Sequence, residues 1–86
     1  MSAAAAAAAP VISGVHVRMA RAGLGWSVRE LGAKADVNAN TIVRIENGAD
    51  ALAITLKKIQ AVLEGAGVEF LDSDAPGVRL RPRRRK

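Results

Sequence analysis

Cysteine is missing altogether from these 86 residues, and histidine occurs once, as His16. No disulfide and no thiolate metal site can form, and a single imidazole cannot build a zinc site alone. Apolar runs are short as well: none reaches the roughly 18 residues that a membrane span needs. The N-terminus has no basic segment ahead of its alanines, which argues against a signal peptide and for a cytoplasmic protein. Paired carboxylates at an active site, a nucleophile with its base and a phosphate-cradling glycine loop are all wanting. The expectation is therefore a protein that is not an enzyme and carries no cofactor or metal. At this length the chain is one small domain with tails.

What is present begins with charge. The formal net charge is +5, from 13 Lys and Arg against 8 Asp and Glu. Six of the positive charges fall at the extreme C-terminus: Arg79, Arg81, Arg83, Arg84, Arg85 and Lys86. The other seven face all eight acids, which leaves the rest of the chain at −1. The body is thus no generic polycation. Affinity for an anionic polymer has to come from where Arg29, Lys34, Arg44 and the helix N-termini point, with the tail adding sequence-independent attraction or solubility.

The richest stretch is Trp26 to Gly48, which reads as two short helices joined by a tight turn. Ser27 with Glu30 makes a capping box, hydroxyl to backbone N–H and carboxylate back to the cap. Asn38 caps the second helix without a completed box, since Thr41 stands where an acid or amide would be needed. Asn47-Gly48 closes it. Asp36 and Val37 alone separate the helices, and so short a turn makes them cross steeply, as in a helix-turn-helix. Val28, Leu31 and Ala35 share one face of the first, and Ile42 and Ile45 one face of the second. Val37 is expected as a buried plug. Gly32 costs roughly 1 kcal/mol of helix propensity against Ala, which points to close packing of the second helix.

Around this motif the chain is simple. Residues 1 to 10 are alanine-rich, end at Pro10 and are expected to be disordered. Ser13 opens a helix ending near Ala22, with Val15, Met19 and Ala22 inward and His16 on the surface. A further helix runs from about Ala53 to Glu64, with Leu52, Leu56, Ile59 and Leu63 as its apolar stripe. Gly65 and Gly67 stop it. Val68 to Leu71 and Val78 to Arg81 are β-prone and flank a turn-rich loop, which predicts a hairpin. A lone hairpin is marginal in water, so it packs on the helices or pairs with a second chain.

Arg18, Arg21, Gly25, Trp26, Ser27, Leu31, Val37, Thr41, Ile42, Ile45, Glu46, Asn47 and Gly48 stand at the spacing of one known pattern. The chain in this region, about residues 12 to 66, resembles the helix-turn-helix of Cro/C1-type (XRE family) transcriptional regulators. It departs from the family pattern at four places: Val28 for a Gln that touches phosphate, Gly32 for Ala, Asp36 for the turn Gly, and Asn38 for Ser or Thr. The resemblance implies an all-α, compact four-helix, lambda repressor-like bundle with the helix-turn-helix inside it, here followed by the short C-terminal β-hairpin. Read along its length, the chain divides into a disordered Ala-rich N-terminus (1–10), a helix-turn-helix DNA-binding domain (11–66), a C-terminal β-hairpin as a candidate dimerisation element (67–81) and a basic tail (82–86).

The resemblance also distributes roles. Ala39, Asn40 and Arg44 match the positions that face bases. By their placement rather than by the resemblance, Ser27, Arg29, Asn38, Thr41 and Asn47 are the candidates for phosphate contacts. Arg21 and Glu46 match a structural ion pair, and Trp26 occupies a core slot. The chemistry agrees: Asn makes two hydrogen bonds to adenine, Arg makes two to guanine, and the methyl of Ala suits thymine. The function expected is a sequence-specific regulator of double-stranded DNA, a repressor or autoregulator acting as a homodimer on an inverted repeat and associated with the nucleoid. The alternative is an antitoxin- or antiactivator-like module that grips a protein partner and binds DNA secondarily.

Overall fold

The computed structural model describes residues 12–71 and 76–81. Four helices precede two strands: α1 (Gly14–Leu24), α2 (Val28–Ala35), α3 (Ala39–Glu46), α4 (Ala53–Gly65), β1 (Val68–Leu71) and β2 (Gly77–Leu80). The Ala-rich segment and the basic tail lie outside the described residues.

Local chemistry sets the boundaries. Ser13 caps α1 and Ser27 caps α2, each through a reciprocal capping box, with His16 and Glu30 as the respective partners. Gly25 ends α1 in the left-handed region at φ 74°. Asp36 ends α2 in the same region at φ 59°, a conformation that Asp tolerates better than most residues. Asn38 Oδ1 accepts from the Asn40 N–H at 2.7 Å and starts α3. Past its end, Gly48 N–H and Ala49 N–H donate to the Ile45 and Arg44 carbonyls, both at 2.9 Å.

One core joins all the elements. Val17 and Ala20 of α1, Leu31 and Ala35 of α2, Ile42 and Ile45 of α3, Ile59 and Leu63 of α4 and Val68 of β1 are buried together with Ile12. Each large aliphatic side chain so buried contributes about 1.5–3 kcal/mol. Gly32 shows why α2 carries a bare backbone there. A Cβ on it would stand 2.5 Å from the Val37 carbonyl oxygen, so the turn presses directly on the helix.

The strands pair antiparallel, Val68 with Leu80 and Phe70 with Val78. β2 lies along α1, where Leu80 covers Gly23, and β1 follows α4. The hairpin is thus held by the helices of its own chain, as a two-stranded ribbon requires.

Five sequence expectations need correction. Helix α1 turns a different face inward: Val15 is 51% exposed and Ala22 exposed, while His16, Val17 and Ala20 are buried. His16 is no surface residue, because both ring nitrogens find partners and the ring can leave water. Leu52 does not join the stripe of α4; it precedes the helix at its N-cap and is 73% exposed. Val37 and Trp26 are half-buried and pack against the core from its rim.

Candidate nucleic-acid interface

The site is built from α2, the turn and α3. Burial of Ile42, Ile45 and Glu46 fixes which side of α3 faces inward. Asn40, Val43, Arg44 and Asn47 are then exposed on the opposite side. Asn40 and Arg44 are four apart, so their side chains stand one above the other on one face. Neither side chain has a hydrogen-bond or ion-pair partner among the described residues. Ala39 and Thr41 are half-buried beside them, and Val43 is exposed between them.

The remaining candidates are placed as follows. Ser27 Oγ accepts from the Glu30 N–H at 3.0 Å, which leaves its hydroxyl proton to donate outward. Arg29 is exposed on the first turn of α2, and with Asn38 and Ala39 it borders a shallow depression of about 400 Å³ over the turn. Asn38 uses Oδ1 as a cap and keeps its amide N–H groups. Asn47 Oδ1 accepts from Arg18 Nη2 at 3.1 Å, so this side chain is tied to α1 and only its N–H groups point onward. The N-termini of α2 and α3 add free backbone N–H groups and the positive ends of two helix dipoles.

Arg21 and Glu46 meet in a bidentate pair: Nε to Oε2 at 2.7 Å and Nη2 to Oε1 at 2.9 Å. Hydrogen bonding to Glu46 raises the Arg21 pKa above its usual value; desolvation opposes this and the charge of Glu46 adds to it. Arg21 Nη1 also donates to the Trp26 carbonyl at 3.0 Å. One guanidinium thus ties the end of α3 to the junction between α1 and α2. Arg18 adds a longer contact to Glu46 at 3.6 Å. The sequence reading gave Arg18 no role, although its i, i+3 spacing from Arg21 places both on one face of α1.

Residues 17–71 match a family model described as Helix-turn-helix, of the Cro/C1-type (XRE) kind. The chain belongs to that family. A comparison with curated proteins finds no match. Members of the Cro/C1-type family are DNA-binding transcription regulators, and this chain is a DNA-binding helix-turn-helix regulator of that kind. The matched span takes in the whole helix-turn-helix, α4 and β1. Among the described residues no helix is long and apolar enough to cross a membrane, and no cluster of His, Asp and Glu could hold a metal ion.

Proposed function

We propose that this Cro/C1-type protein reads double-stranded DNA sequence-specifically and acts as a repressor or autoregulator, as a homodimer on an inverted repeat. It is not an enzyme on this reading, and it works in the cytoplasm on the nucleoid. The observation that carries the proposal is the pair Asn40 and Arg44: exposed, one turn apart on α3 and unpaired among the described residues. With α3 in the major groove, Arg44 takes guanine, Asn40 takes adenine, and Ala39 allows close approach or touches a thymine methyl. Ser27, Arg29, Asn38, Thr41 and Asn47 hold phosphates around them. Arg21 and Glu46 keep α3 at a fixed angle to α1.

Dimerisation draws support from apolar surface that the monomer leaves uncovered. Leu52 and Ile54 are 73% and 64% exposed at the start of α4, close in sequence to the recognition helix. The same surface favours the second reading, a protein partner held by this module. The test is a nuclease footprint on the DNA upstream of the protein's own gene. A regulator protects a short inverted repeat there. A stoichiometric second chain that co-purifies, with no protected site, favours the partner reading instead.

A further inference from the structure

Beside the polar pair Asn40 and Arg44 runs a second row of α3. Ala39, Val43 and Asn47 follow one another at four-residue spacing, so they too stand one above the other. Val43 is 40% exposed, and among the described residues it is the one large apolar side chain left exposed on α2, the turn or α3. Below it Ala39 ends at its methyl group. Above it Asn47 is tied to α1, its Oδ1 accepting from Arg18 Nη2 at 3.1 Å. Asp50, Ala51 and Leu52 border the other flank of α3, beside Thr41 and Arg44.

We propose that Val43 is a specificity-determining residue that reads the 5-methyl group of a pyrimidine in the major groove. The inference rests on the reading of α3 as the groove helix and names what its apolar row recognises. Val43 takes no part in the core, and a β-branched residue forms helix less readily than Ala, Arg or Gln would at this exposed place. Base edges in the major groove offer donors, acceptors and one kind of apolar group, the methyl of thymine. 5-Methylcytosine carries the same group on the same ring carbon.

Helix geometry fixes where that methyl lies. Neighbouring residues are offset by about 1.5 Å along a helix, less than half of the roughly 3.4 Å between stacked base pairs. The group met by Val43 therefore falls within about one base pair of the one that Arg44 takes. Asn40 and Arg44 read hydrogen-bonding edges, and Val43 adds a feature that neither of them can sense. Two base pairs of reagents isolate it. Uracil has the hydrogen-bonding edge of thymine without the methyl, and cytosine has that of 5-methylcytosine without it.

The full chain is tested on duplexes built from the site it selects out of random DNA, at one fixed salt concentration, because salt alone moves such affinities. In one arm each thymine is replaced singly by uracil. In the other each cytosine is replaced singly by 5-methylcytosine. The position of Arg44 is the one at which Arg44→Ala relaxes selection. The expected result is a change within one base pair of it, about fourfold, the effect of burying one carbon group. Uracil weakens binding there where thymine supplies the methyl, and 5-methylcytosine tightens it where cytosine stands. Val43→Ala, an exposed substitution that leaves the core intact, should erase the difference, and Val43→Ile should keep it. Wild-type binding that neither arm changes at those positions overturns the methyl reading, as does a change that persists undiminished in Val43→Ala. A wild type that selects no site, or Asn40→Ala and Arg44→Ala variants that keep its consensus, would overturn the base-reading account and this inference with it.

Discussion

Arg21 and Glu46, 25 residues apart, share two hydrogen bonds of 2.7 and 2.9 Å, and the carboxylate they involve is only 3% exposed. The contact sets the angle between α1 and the last turn of α3. An ion pair this enclosed does more for geometry than for net stability.

The first prediction separates those two roles. Arg21→Met leaves the buried Glu46 with Arg18 alone, 3.6 Å away, and should cost roughly 3 kcal/mol. Arg21→Met with Glu46→Leu should regain most of that loss, because an apolar pair of similar volume is often neutral in place of a buried ion pair. Urea melts with unchanged slope measure both. Equal losses in the single and double variants would show that charge compensation is not what the pair supplies.

Trp26 is the second case. It rims the core half-buried, and Lys34 Nζ sits 5.0 Å from its ring centroid. Trp26→Ala should therefore cost about 2 kcal/mol, below the 3–5 kcal/mol of a fully enclosed ring. Lys34→Met should cost about 0.5 kcal/mol, the value of an exposed cation–π contact. Denaturant melts check both. A loss of DNA binding with no loss of stability in Trp26→Ala would make the ring a contact residue.

Much of this was legible in the sequence. The Ser27–Glu30 capping box, the two-residue turn, the buried Leu31, Ile42 and Ile45, and the left-handed Asp36 each follow from local chemistry. The hairpin was legible too, since its strands alternate around turn residues. What stayed hidden depends on distant partners. Nothing near His16 in the sequence announces that Leu71 will accept from its ring and Phe70 will cover it, so the sequence places this polar residue on the surface and predicts the wrong buried face for α1. Leu52 failed for the opposite reason: its spacing fits the stripe of α4, but it falls at the cap, where the chain has not yet turned into the helix. Arg18 took a place in the family pattern, but its contact with Asn47 waited on the crossing of α1 and α3.

The third prediction concerns the turn. Asp36 holds φ 59° without the freedom of glycine, and its only ion-pair contact among the described residues is Lys58 at 3.9 Å. Asp36→Gly should stabilise the domain by about 1 kcal/mol, since relief of left-handed strain outweighs a weak surface pair. Thermal melts in low and high salt check this. A destabilised variant would show that the carboxylate does more in the turn than its contacts suggest.

The central claim is that α3 reads bases through Asn40 and Arg44. The most direct measurement is selection of bound sites from random double-stranded DNA by wild type, Asn40→Ala and Arg44→Ala, each at one fixed salt concentration. The account predicts that each variant loses about 1–3 kcal/mol on the wild-type site and relaxes preference at one position, with the two positions adjacent or nearly so. Two variants that bind more weakly yet select the wild-type consensus unchanged would contradict it.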